Sequence, residues 1–282
     1  MNELKSLKTN IKVRPYSPNL GGVVTGIDLS KELKQSELNA VKDAFKHYQV
    51  LFFQNQKEIP PNIQVNLGKS FGPLHVHPAA PTMKGHPEIF EIHTHKDSKI
   101  SNGSERFHSD VSCDEEPPLG TMLQLHILPE CGGDTMFTNM YMAYDDLSNY
   151  MKEFLANLHA WHESAHIYKG RYEERGVSDK DIFCPSSLHP IIRTHPETGK
   201  KAIFVNRSFT TKIDGLTETE SSAVLKFLVD HCEKLKYQIR YRWNKNDMAF
   251  WDNRCTMHRA VWDYHPMERK GRRVTIKGDR PV

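Results

Sequence analysis

Gly120-Thr-Met-Leu-Gln-Leu-His-Ile-Leu128 is followed by Cys131-Gly132-Gly133-Asp134-Thr135 and then by Thr135-Met-Phe-Thr138. The first run is apolar, short and bounded by glycine, the pattern of a buried strand; the paired glycines make a turn, and the last run resumes a strand. Similar runs lie on both sides. Upstream are Ile11-Lys-Val13, the glycine-punctuated Leu20 to Leu29, Val50-Leu-Phe-Phe53 and Ile89-Phe-Glu-Ile-His93. Downstream are Pro190 to Arg193, Ala202 to Val205, Gln238 to Trp243, Asp247 to Trp251 and Arg273 to Lys277. Helical spacing is confined to a few stretches. Leu38, Val41, Phe45 and Tyr48 follow Ser36 as an expected N-cap, and Ile59-Pro-Pro61 opens a short helix ending near Gly68. Tyr144 to Leu158 reads as a third helix. Glu218 to Leu235 reads as the longest, with Val224, Leu225, Phe227, Leu228 and Cys232 on its core face. Many strands and few helices predict a β-rich α+β fold, a jelly roll with helices packed outside.

No repeat or linker divides the chain, so a single domain over residues 1–282 is expected, long enough to bury a core without staples. Its 38% hydrophobic content excludes global disorder. The 38 basic and 35 acidic residues nearly balance at +3, which gives no electrostatic case for nucleic acid or an anionic membrane. Val50 to Phe53 is far too short to span a bilayer, and the polar opening Met1 to Lys12 lacks the apolar core of a secretory signal. Five scattered cysteines without a C-x-x-C pair read as reduced thiols of a cytoplasmic enzyme.

The chemistry begins at His108-Ser109-Asp110. In a strand, residues i and i+2 share a face, so this histidine and carboxylate could share one metal. By itself the pair is weak, since roughly two such spacings arise by chance, and His86/Glu88, His95/Asp97, His195/Glu197 and His231/Glu233 repeat it. A strand running through Trp251-Asp-Asn-Arg254 to His258 could add a third ligand. Two histidines and one carboxylate with open positions form the facial triad of non-haem Fe(II) oxygenases. If the following segment is extended, Arg269 and Arg273 share a face while Arg272 points away, and each guanidinium can fork onto an oxyanion. An isolated cluster of this kind is more often a solvated basic turn.

Over nearly its whole length the chain resembles the taurine dioxygenase branch of the Fe(II)/2-oxoglutarate-dependent dioxygenases. The matching stretches, in order, are Gly21 to Leu29, Phe71-Gly-Pro-Leu-His-Val-His-Pro78, Phe107 to Ser112, Pro117-Pro118, Leu128-Pro129 and Gly132-Gly-Asp-Thr135. They continue through His189 to Pro196, Phe204-Val-Asn206, Phe209 to Thr211, Trp251 to Arg254, His258 and Gly278-Asp-Arg-Pro281. The resemblance implies a double-stranded β-helix, the jelly roll expected above. It implies Fe(II) on His108, Asp110 and His258, 2-oxoglutarate as co-substrate on Arg269 and Thr135, and O2 as oxidant. His77 and Arg273 match the pair that binds the substrate sulfonate, and Phe209 matches an aromatic pocket wall. Two positions depart from the taurine pattern. Ala80 stands for a tyrosine and Ser104 for an asparagine, both near the amine end of taurine.

The expected substrate is therefore a small organic anion, taurine or a related alkyl sulfonate, with an alkyl sulfate ester, a carboxylate or a phosphonate as alternatives. A homo-oligomer is expected, without nucleic-acid or membrane partners. A zinc protease carries H-E-x-x-H with both histidines on one helix; that spacing occurs at His162-Glu163-Ser164-Ala165-His166 and needs a helical setting to count. A non-catalytic cupin-like metal-binding protein would not need Arg269 beside the Thr135 hydroxyl. Cys113 and Cys255 lie close to the expected ligands but read as packed residues, and Trp161 to His166 is a candidate lid.

Overall fold

A computed structural model describes residues 10–77, 79–80, 82–100, 105–173 and 176–282. Ser104 and Pro78, both singled out in the sequence, lie outside them. Gly120–Ile127 is the strand expected, and it sits inside the largest sheet. Across that sheet the order is Lys12–Pro15, Gly22–Thr25, Val50–Phe53, Met248–Asp252, Gly120–Ile127, Arg269–Ile276, His86–Thr94 and Thr82–Met83, with Leu74–His75 also on Arg269–Ile276. Every pairing is antiparallel except Gly22–Thr25 with Val50–Phe53. A smaller sheet runs Gln238–Tyr241, Thr135–Asn139, Thr256–Ala260, and a third runs Ser186–Pro190, His159–Glu163, Thr210–Ile213.

Alternation along the large sheet separates two cores. Val50, Phe52, Leu123, Leu125, Ala249 and Trp251 meet Phe137 and Tyr241 of the smaller sheet in one cluster, so these two sheets pack face to face. Phe52 stacks on Tyr241 with ring centres 3.9 Å apart. Leu51, Phe53, Met122, Met248 and Phe250 point the other way, onto the helices Gln35–Tyr48 and Pro61–Lys69. There Phe45 stacks on Phe250 at 3.8 Å. A strand covered on both faces reads as unbroken apolar sequence, which is why Val50–Phe53 is wholly buried. Full burial of each such side chain contributes about 1.5–3 kcal/mol.

Several expectations are corrected. The first helix begins at Gln35, because the Glu37 carboxylate accepts the Lys34 N–H; Ser36 lies in the first turn and is not the cap. Tyr144 to Leu158 is not one helix. Asn139 caps Met140–Asp145 and Ser148 caps Asn149–Leu155, and extended Ser148 breaks the run between them. Glu218–Cys232 ends earlier than expected, and Phe227 is 44% exposed on its outer face. His159–Glu163 is a central strand with His162 wholly buried, and His166 lies in the separate short helix Ala165–Tyr168, so the two histidines of His162-Glu-Ser-Ala-His166 do not share one helix. No helix among the described residues is long and apolar enough to cross a membrane.

Candidate active site

His108 does not lie in a continuous strand. It forms a single bridge to His258, with His108 N–H donating to the His258 carbonyl at 3.0 Å and His258 N–H donating back at 2.8 Å. His258 rides on Thr256–Ala260, so the antiparallel bridge brings the rings to 4.2 Å between centres. The chain then turns. Val111 takes φ 45°, a left-handed conformation that a β-branched residue adopts only under strain, and the turn brings Asp110 to the same cavity.

Asp110 Oδ1 lies 3.8 Å from His108 Nε2 and 3.9 Å from His258 Nε2. Its other oxygen accepts the Thr121 hydroxyl at 2.7 Å. The Asp110 N–H donates to Asn253 Oδ1 at 3.2 Å, and Asn253 Nδ2 donates to Thr121 Oγ1 at 3.1 Å. The donor set fits a divalent metal. His108 Nδ1, facing the Arg106 carbonyl at 3.0 Å, carries the proton, which leaves a lone pair on Nε2. Burial lowers the pKa of His108 and takes that of His258 down to about 3, so both imidazoles stay neutral. Burial alone would raise the Asp110 carboxyl, yet the Arg273 guanidinium and the two imidazoles hold it far below its usual range.

Arg269–Ile276 supplies two guanidiniums to the cavity. Arg269 and Arg273 line it, while Arg272 reaches Glu58 at 3.0 Å and the Ile59 carbonyl at 2.8 Å on the opposite face. The extended alternation therefore holds, although the facing strand carries an extra residue, His126, between the partners of Lys270 and Gly271. A Cβ on Gly271 would clash with the Gln124 carbonyl, so only glycine fits this approach. Arg269 Nε donates to the Gly133 carbonyl at 3.1 Å, and Gly133 takes φ +72° with no slack against the Arg269 side chain. Thr135 accepts the Trp243 indole N–H at 3.0 Å and keeps its own hydroxyl proton to donate.

Arg273 donates to Asp110 Oδ1 at 2.8 Å and lies 4.9 Å over the Phe90 ring, while its Nε is buried without a hydrogen-bond partner among the described residues. His77 Nδ1 accepts the N–H groups of Ala79 and Ala80 at 3.1 and 2.9 Å, so its proton sits on Nε2. Burial, then Arg273, keeps this ring neutral well below the ordinary histidine pKa. Phe209 is buried in the cavity wall, its N–H held by Asn206 Oδ1 at 2.9 Å.

All eight singled-out residues thus line one cavity of about 90 Å³. Ile167, Tyr168, Arg171 and Tyr172 line it as well, and sequence reasoning missed them. Tyr168 and Tyr172 come within 5.2 and 6.1 Å of the His77 ring. The only signal was a tyrosine pair at four-residue spacing after a stretch taken for a lid. Thr121 and Asn253 were also missed as supports of Asp110.

A second buried group, His195, Asp252 and Cys255, has metal-like spacing. Its hydrogen bonds are already made. His195 Nδ1 accepts two backbone N–H groups, so Nε2–H donates to Asp252 at 3.1 Å, and Arg254 takes both Asp252 oxygens. His95 and Asp97 are exposed. Cys113 and Cys255 are buried among packed residues, and burial drives the Cys113 thiol up to about 12.

The family profile described as "Taurine catabolism dioxygenase TauD, TfdA family" matches residues 12–275. The alkylsulfatase of Acinetobacter baylyi is 31% identical over 276 residues, covering 95% of this chain and 86% of that protein. The alpha-ketoglutarate-dependent sulfonate dioxygenase of Saccharomyces cerevisiae is 32% identical, covering 96% of this chain and 68% of its own length. A crystal structure of a taurine dioxygenase from Burkholderia xenovorans superposes with a TM-score of 0.81 at 30% identity, covering 97% of this chain and 91% of that one. With two histidines, a carboxylate and two arginines converging on one cavity, the chain belongs to the TauD/TfdA family and is an Fe(II)- and 2-oxoglutarate-dependent dioxygenase.

Proposed function

We propose that this dioxygenase hydroxylates an alkyl sulfonate or alkyl sulfate ester at the carbon bearing the head group. In this reading His108 Nε2, His258 Nε2 and Asp110 Oδ1 hold Fe(II), and Arg269 with the Thr135 hydroxyl holds the distal carboxylate of 2-oxoglutarate. Arg273 and His77 Nε2–H bind the anionic head group, and Phe209 walls the site. The observation that carries it is the convergence of the three donor atoms within 4.8 Å of one another on a cavity that two strand-borne guanidiniums also enter. The Arg273 Nε, unpaired among the described residues, supports an anion at that end. We also read the face-to-face sheets as a double-stranded β-helix forming one domain, and the scattered, unpaired cysteines as those of a cytoplasmic protein.

Bound Fe(II), with 2-oxoglutarate and O2, supplies the oxidising power for C–H hydroxylation. The protein's share is position. Fixing the anion fixes which C–H faces the metal, and positioning of this kind is worth on the order of 7 kcal/mol in favourable cases. A hydroxyl on the carbon next to a sulfonate gives an unstable adduct that expels sulfite and leaves an aldehyde; next to a sulfate ester oxygen, sulfate leaves. Ile167, Tyr168 and Tyr172 offer an apolar and aromatic wall, which favours an alkyl chain over the short amine tail of taurine.

The test is succinate formation with taurine, pentanesulfonate and a short alkyl sulfate, with sulfite and sulfate measured in parallel. Coupled release from the alkyl substrates is expected. Turnover restricted to neutral or purely carboxylate compounds would remove the sulfonate reading.

A further inference from the structure

The described lining of the cavity holds three arginines, Arg171, Arg269 and Arg273, against a single carboxylate, Asp110. Under the proposed function two of them are assigned. Arg269 takes the distal carboxylate of 2-oxoglutarate, and Arg273 takes the substrate head group. Arg171 has neither role. It enters from a different part of the chain, three residues after the helix Ala165–Tyr168, on the stretch that also brings Tyr168 and Tyr172 to His77.

Arg171 also borders a neighbouring groove of about 530 Å³, with Lys99 and Lys270 among its cations and Asp97 and Glu173 among its acids. Arg171 also interacts within the protein, so what it offers an occupant is its place in the wall. The cavity wall holds Arg273 and His77 together with the rings of Tyr168, Tyr172 and Phe209, and Arg171 lies in the wall that cavity and groove share. A chain that is anionic at both ends and apolar between them matches that set of surfaces. A guanidinium can fork onto a terminal carboxylate as readily as onto a sulfonate.

We propose that Arg171 is a specificity-determining residue, and that the preferred substrates are alkyl sulfonates or sulfate esters carrying a carboxylate at the far end of the chain. This rests on the proposed function, which supplies the head-group end. The chemistry is unchanged: the C–H beside the sulfur-bearing group is hydroxylated, 2-oxoglutarate is oxidised to succinate and CO2, and the head group leaves as sulfite or sulfate. The far carboxylate takes no part beyond binding.

The experiment uses chain-matched pairs, propanesulfonate with 3-sulfopropanoate and butyl sulfate with 4-sulfooxybutanoate. It reads kcat/KM by succinate and by sulfite or sulfate, with Kd titrated anaerobically on the Fe(II)–2-oxoglutarate complex. In the wild type the carboxylated member of each pair is expected to lead by at least about tenfold in both quantities. Arg171→Gln should bring the ratio close to one, and Arg171→Lys should retain part of it. If alkyl sulfonates turn over but their carboxylated partners do no better, or if Arg171→Gln leaves the ratio intact, the Arg171 assignment is overturned and the proposed function stands. If no member of either pair couples to succinate formation, the sulfonate reading fails and this inference fails with it.

Discussion

The Thr121 hydroxyl donates to Asp110 Oδ2 at 2.7 Å, while Asn253 Nδ2 donates to the same hydroxyl oxygen at 3.1 Å. The second contact fixes the direction of the first, because an oxygen already accepting from Asn253 turns its proton toward the carboxylate. Asp110 is thereby held by one oxygen, and the other faces the two imidazoles. Supporting hydrogen bonds of this kind typically carry 10- to 100-fold in metal affinity. Thr121→Val, which keeps the shape and removes the hydroxyl, should weaken Fe(II) or Mn(II) binding roughly tenfold. A metal titration checks it; an unchanged Kd would mean that the turn alone orients Asp110.

Asp110 also neutralises Arg273 at 2.8 Å, in a pair whose side chains are 3% and 11% exposed. Removing one member of a buried pair strands the other, at a cost of about 3 kcal/mol. Asp110→Ala should therefore lose metal binding and also destabilise the metal-free protein by that order. Asp110→Asn keeps an oxygen for Arg273 and should lose metal binding with a smaller loss of stability. Denaturant melts beside metal titrations separate the two effects. His95→Ala, at an exposed site, is expected to leave both unchanged.

Arg269 and Arg272 are three residues apart on one strand and face opposite ways. Arg269→Lys keeps the charge and loses the fork, so KM for 2-oxoglutarate should rise at least tenfold, or ~1.4 kcal/mol. Arg272→Lys touches the Glu58 contact and should leave that KM nearly unchanged while lowering stability. Succinate formation at varied 2-oxoglutarate decides it, and a larger effect at Arg272 would break the assignment.

The sequence was most legible where one physical constraint acted alone. Val50–Phe53 reads as buried because both faces are covered, and Arg269/Arg273 read as partners because strand alternation is strict. Legibility failed where side chains compete with the backbone. Ser148 and Asn139 cap two short helices inside what looks like one amphipathic run. His159–Glu163 carries His, Trp and Glu, whose burial depends on partners such as Ser112, which local pattern does not show. The site followed the same division. The ligand-type residues were singled out by the order of motifs the chain shares with its family, since the His-x-Asp spacing alone is common, whereas the roles of Thr121, Asn253 and Arg171 appear only where the fold brings them in.

His162 gives a pH dependence that is independent of catalysis. Its ring is wholly buried, with Nδ1 3.0 Å from Ser112 Oγ and Nε2 3.4 Å from Thr210 Oγ1, and it stacks on Phe204. Burial, then the neighbouring His189, brings its pKa down to about 3, and burial brings that of His189 to about 4. Unfolded, both titrate near 6.5. Between these values the unfolded chain binds protons that the folded one refuses. The stabilisation is complete above about pH 6.5 and is lost as pH falls. One such histidine costs about 1.4 kcal/mol per pH unit, or on the order of 2 kcal/mol between pH 6.5 and 5. His258 shifts the same way, so the wild-type slope is a sum. The depressed carboxylates Asp110 and Asp252 act only below about pH 4, outside this window. The comparison that isolates His162 is metal-free wild type against His162→Gln, with stability followed from pH 7 to 5. The variant should start lower, having lost packing, and should fall less steeply by about one proton's worth. Parallel slopes would show that His162 does not titrate as a buried neutral ring.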